Sequence, residues 1–123
     1  MSAEAPTSGL WQHPAWLRTG RSNLPGGDRA ANLHQAVQYY EAALRIYTER
    51  DFPQGSAMTQ NNLGTAWANL PDGDRAANLR QAIQCYEAAL RVRTEQDFPR
   101  EYAETTENRR IAREALDWLG ETE

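Results

Sequence analysis

Residues 23–53 read NLPGGDRAANLHQAVQYYEAALRIYTERDFP, and residues 69–99 repeat the phrase as NLPDGDRAANLRQAIQCYEAALRVRTEQDFP. The two copies stand 46 residues apart and agree at 24 of 31 positions. Self-similarity at such a period marks an architecture built by packing copies of one supersecondary unit side by side. Such assemblies make surfaces for binding and rarely a reaction centre.

The unit is helical. Leu33, Ala36, Val37, Tyr40, Ala43, Leu44 and Tyr47 in the first copy, and Leu79, Ala82, Ile83, Tyr86, Ala89 and Leu90 in the second, recur at steps of three and four. That spacing puts them on one helical face. Asp28 and Asp74 suit the N-cap position, and Pro53 and Pro99 block continuation. Long helices are therefore expected over 29–50 and 75–96. Between the copies, Ala57, Leu63, Ala66, Trp67 and Leu70 keep the same period and predict a helix over 54–70, closed by Pro71. Gly64 falls in its middle. A mid-helix glycine costs about 1 kcal/mol against alanine, so a close helix–helix approach is expected there.

These residues resemble a tetratricopeptide repeat. Leu63, Gly64 and Trp67 match that family's first-helix pattern; Ala82, Tyr86 and Ala89 match the second, and Ala36, Tyr40 and Ala43 match it again. The usual repeat is about 34 residues, so the 46-residue spacing resembles the long kinesin-light-chain type. It is more similar still to arrays found beside caspase-like CHAT domains in bacteria. The resemblance covers about residues 15–119. It implies an all-α fold of tandem antiparallel helix pairs, a right-handed α-solenoid of about five helices, and a non-enzymatic protein-interaction role.

Both ends depart from the pattern. Leu63, Gly64 and Trp67 correspond, 46 residues on, to Arg109, Arg110 and Arg113, and 46 residues back to Leu17, Arg18 and Arg21. Three unpaired arginines cannot be buried, so the helix expected over 100–119 should be a solvated cap with Ile111, Ala112, Ala115, Leu116 and Leu119 inward. A degenerate first helix is expected over 11–24, with residues 1–10 a disordered tail and 11–120 one repeat domain. Two clear helix pairs are few for a self-sufficient array, and self-association into a homo-oligomer, by stacking or helix exchange, is the expected remedy.

Composition narrows the function. Net charge is −4, which argues against nucleic-acid and anionic-membrane partners. All thirteen basic residues are arginine. No run of about 18 apolar residues could span a membrane, and the N-terminus lacks a secretory pattern; with the single cysteine, Cys85, this suggests the cytoplasm. His13 and His34 lie in no metal-ligand spacing, and no nucleophile elbow, CxxC or phosphate loop is present. No cofactor, metal or catalytic residue is expected. Glu41 and Glu87 precede Arg45 and Arg91 by four residues, the spacing of surface helix pairs. Glu101, Glu104 and Glu107 suggest an acidic stripe on the last helix.

The resemblance also implies a concave groove lined by the first helices of successive pairs. Carried over by position, its lining is Met58, Asn61, Asn62, Thr65, Ala68 and Asn69, then Glu104, Glu107, Asn108 and Ile111, with Ala15, Trp16 and Thr19 from the N-terminal segment. Of these, Asn61, Asn62, Thr65, Asn69, Asn108 and Trp16 are the candidate peptide contacts; asparagine amides both donate to and accept from a backbone. No arginine falls on the groove positions. Trp11 and Trp16 could alternatively cover the first pair or anchor a partner chain. The partner implied is a protein or peptide, by family analogy a CHAT-type protease or a signalling protein.

Overall fold

The computed structural model describes residues 28–120. The tail at 1–10, the helix at 11–24 and Trp11 and Trp16 lie outside the described residues. Within them the fold is all-α, with four helices and no strand: α1 Arg29–Leu44, α2 Pro53–Asn69, α3 Arg75–Leu90 and α4 Pro99–Trp118.

The repeated phrase folds the same way twice. Asp28 accepts a hydrogen bond from the Ala30 amide and Asp74 one from the Ala77 amide, so both capping aspartates satisfy donors of the first turn. Both helices stop at the phrase's leucine, Leu44 or Leu90, six residues short of the expected ends. A second tight turn explains the difference. The Arg45 and Arg91 amides reach carbonyls three residues back, at Ala42 and Ala88. Thr48 Oγ1 and Thr94 Oγ1 then accept from the Asp51 and Asp97 amides. The Phe52 and Phe98 amides close onto the Thr48 and Thr94 carbonyls, 2.8 Å in each copy. β-Branched Ile46 and Thr48, and Val92 and Thr94, favour leaving the helix. Pro53 and Pro99 then stand in the first turn of α2 and α4 and start those helices, where a missing N–H costs nothing.

Contacts pair Ala68 with Arg75 and Gly64 with Tyr86, the register of an antiparallel α2–α3 hairpin. Glu87 meets Arg113 while Arg93 meets Thr105, so α3 and α4 are antiparallel too. Leu33, Ala36, Val37, Leu63, Ala66, Leu70 and Cys85 form one core between α1, α2 and α3. Ala76, Leu79, Ala82, Ile83, Tyr86, Ala112 and Leu116 form a second between α2, α3 and α4. Trp67 packs against both. Each fully buried Leu or Ile here contributes about 1.5–3 kcal/mol.

Gly64 has the packing role expected of it. A Cβ at position 64 would stand 2.8 Å from Tyr86 Cε1 and 3.1 Å from the Ala82 carbonyl oxygen. The glycine lets α3 approach α2 until the tyrosine is 2 % exposed. Its repeat counterpart, Tyr40, is only half-buried and meets Tyr39 edge-on at 5.6 Å. The two tyrosines therefore share a sequence position but not an environment.

Two sets of surface ion pairs join separate elements rather than turns of one helix. Arg91 grips Glu49 through Nε (3.1 Å) and Nη2 (2.9 Å). Glu87 accepts from Arg113 at 3.0 Å, with Arg109 at 3.8 Å. The expected Glu41–Arg45 and Glu87–Arg91 pairs do not form, because the opposite copy or the next helix supplies a closer partner for Arg91 and Glu87. Arg110 sits on the open side of α4, tied within its helix to Glu107 at 2.6 Å and Glu114.

Candidate groove between α2 and α4

α2 and α4 run parallel, since the N-terminal parts of both line one cleft and their C-terminal parts another. A buried polar cluster sets their spacing. Asn61 is wholly buried, and its Oδ1 accepts from Thr105 Oγ1 and Asn108 Nδ2, both at 3.2 Å. Arg93 Nη1 donates to Thr105 at 3.0 Å and lies 3.9 Å from Glu104. Burial lowers the Arg93 pKa, while Glu104 and then Glu101 oppose the shift. Leaving any of these groups unpaired in the interior would cost about 1–3 kcal/mol, so the cluster fixes a specific register between the helices.

Thr65 Oγ1 donates to the Asn61 carbonyl at 3.2 Å and pairs with the Tyr86 hydroxyl at 2.8 Å. Burial raises the pKa of Tyr86, only partly offset by that hydrogen bond, so the phenol is neutral at any physiological pH. Asn69 Nδ2 donates to the Thr65 carbonyl at 2.8 Å.

Two openings flank the cluster. Near the N-termini a cleft of about 330 Å³ is lined by Gln54, Met58, Val92, Arg93, Phe98 and Glu101, among others. Beyond the cluster a cavity of about 170 Å³ is bounded by Thr65, Ala68, Asn69, Arg75, Leu79, Tyr86, Asn108, Ile111, Ala112 and Ala115. Of the residues expected in the groove, Thr65, Ala68, Asn69, Asn108 and Ile111 meet at this cavity and Met58 at the other cleft. Asn61 meets neither: it lies beneath them, holding α4. Asn62 is part-exposed, with its Oδ1 shielded and without a hydrogen-bond partner. Trp16 lies outside the described residues.

The acidic residues of α4 do not form one stripe. Glu101 edges the first cleft, Glu104 turns inward to Arg93, and Glu107 is held by Arg110, which lowers its pKa. A three-residue step drifts around the helix by about 60° per turn against 3.6-residue geometry, so three glutamates at that spacing separate.

Sequence reasoning missed Leu79, Tyr86, Ala112, Ala115 and Arg75 as groove lining. The first four were legible as core positions, and a core residue beside a gap becomes a wall. Arg75 opens α3, outside the carried-over first-helix positions, yet its guanidinium reaches the Ala68 carbonyl at the end of α2. Among the described residues no group of three or more His, Cys, Asp or Glu could hold a metal ion, and no helix is long and apolar enough to cross a membrane. No family model, curated protein or solved structure matches this chain.

Proposed function

We propose that this chain is a non-enzymatic interaction module of the tetratricopeptide type that seats a peptide or helix in the groove between α2 and α4. One observation carries the reading. Two parallel helices are locked at a fixed spacing by Asn61, Thr105 and Asn108, leaving a largely apolar slot edged by the part-exposed Asn69 amide. Ile111 stands 46 % exposed at its rim and Met58 51 % exposed at the neighbouring cleft. Apolar side chains with a few placed polar groups are the usual composition of a peptide-binding surface. Asn62 and Asn69 are the amides that would meet the ligand backbone. The resemblance extends the proposal to a cytoplasmic adaptor serving a CHAT-type protease or another bacterial signalling protein.

Peptide display against the folded chain tests the groove. Selected peptides should lose at least tenfold in affinity with Ile111→Arg and keep it with Tyr39→Arg. Equal binding by both variants would remove the groove.

A specific observation favours a second reading, homodimer formation through α1. Tyr39 is 70 % exposed at the position where Cys85 is buried, and Ile46 is 67 % exposed. In the second unit the Cys85 position is packed against α1; in the first, the Tyr39 position is available to a second copy. Light scattering that gives a monomer at high micromolar concentration would remove this reading.

A further inference from the structure

The two units part in chemistry where the cleft near the N-termini of α2 and α4 lies. Tyr47 becomes Arg93 at the end of the phrase, and Gly55, in the first turn of α2, becomes Glu101 in the first turn of α4. In the first unit the Tyr47 ring lies against Gly55, where a Cβ would stand 3.3 Å from its Cδ1. In the second unit Arg93 turns inward to Thr105 instead, and a cleft of about 330 Å³ stands open beside Glu101. That is the lower end of the usual size of ligand pockets, about 300–1,000 Å³.

The cleft joins apolar walls to negative charge. Ala57, Met58, Val92 and Phe98 line it. Arg93 is 7 % exposed and faces Glu104 at 3.9 Å, whose side chain is 12 % exposed. Glu101 is a second carboxylate within electrostatic reach of that guanidinium, part-exposed and with no ion-pair partner among the described residues. Two carboxylates therefore answer one guanidinium, and the one at the opening is Glu101. Apolar surface beside an unmatched carboxylate complements a long basic side chain, which buries its aliphatic stem and keeps its charged head at the rim. Phe98 adds an aromatic wall, which attracts a cation within about 6 Å of its ring.

Glu101 and Ile111 stand ten residues apart on α4, about 15 Å along the helix. An extended peptide covers that distance in about four or five residues. We propose that this cleft is a cation subsite of the groove, taking an arginine or lysine side chain of the bound peptide across Met58, Val92 and Phe98 and setting its charge against Glu101. The proposal rests on the groove reading above and names the chemistry of its ligand: a basic residue about four or five positions from an aliphatic one.

Blocked hexapeptides decide it by nuclear magnetic resonance titration of the folded chain. Each carries leucine at one end and arginine, lysine, citrulline or glutamate at the other, with glycine and serine between, in both chain directions. The expected result is that the arginine or lysine peptide binds about tenfold tighter than the neutral citrulline one, shifting Met58 and Glu101 together with Ile111. Glu101→Gln, checked for unchanged melting, should abolish the preference. Glu95→Gln, the same charge change at an exposed turn residue, should keep it. Equal binding of the arginine and citrulline peptides with shifts at Ile111 would overturn the subsite and leave the groove standing. Tighter binding of the glutamate peptide would overturn it by assigning the cleft to Arg93. A preference that survives Glu101→Gln, or that Glu95→Gln removes as well, would overturn it too. A basic preference with shifts at Glu101 and none at Ile111 would overturn the joint site and the groove reading with it.

Discussion

The Tyr86 ring fills the space that a side chain at Gly64 would need, with Cε1 2.8 Å from the position of a Cβ there. Gly64→Ala gains about 1 kcal/mol of helix propensity against an overpacking cost of about 1–3 kcal/mol. The neighbours are a buried ring and a backbone carbonyl, so the cost wins. Urea unfolding should show a net loss of up to about 2 kcal/mol. In a Tyr86→Ala background the same change should be neutral or stabilising.

Asn61 and Asn62 are adjacent but should answer differently. Asn61→Ala strips the acceptor from Thr105 and Asn108 and should destabilise by about 2 kcal/mol. Asn62→Ala removes an oxygen that has no partner, and should lie within about 0.5 kcal/mol of the parent. Denaturant midpoints of the two variants check this. A ligand-binding defect in Asn61→Ala would follow from loss of α4 docking.

The contrast shows what the sequence could and could not reveal. Periodicity located all four described helices, because each carries apolar residues at steps of three and four, even though α2 buries residues 63–66 in succession. Repetition also gave the unit boundary. The helix ends at Leu44 and Leu90 were harder, since Thr48 and Thr94 act by side-chain hydrogen bonds that hydrophobic pattern does not display. In the groove, α2 positions 61 and 62 look alike in sequence. Only the 100° step between neighbours on a helix, set against the placement of α4, sends Asn61 inward and Asn62 to the edge. Glu101 read as one member of an acidic stripe, because its place at the cleft depends on how α4 is set against α2.

The cross-unit ion pairs should matter little to stability. Glu49→Gln and Arg113→Gln each remove an exposed pair and should cost less than about 1 kcal/mol, shrinking further in 1 M salt. Thermal melts at low and high salt measure both.

Alkaline pH should destabilise the fold in part through Cys85. Burial, and then the nearby Glu41 charge, push its pKa up to about 12, against about 8.5 in an unfolded chain. The folded state holds the thiol proton more tightly, so this contribution is fully present below the unfolded value and is lost as pH rises toward the folded one. Unfolding free energy should fall between about pH 9 and 11, by up to about 1.4 kcal/mol per pH unit for one proton. Cys85→Ala should flatten that slope. A disulfide-exchange reagent at pH 8 should label the native thiol far more slowly than the urea-unfolded one.

The most direct test is amide shift mapping with a display-selected peptide on isotope-labelled protein. Perturbations should track Met58, Asn62 and Asn69 on α2 and Ile111 and Ala115 on α4, converging on the space between the helices. Shifts confined to Tyr39 on α1 and Ile46 in the turn after it would contradict the account.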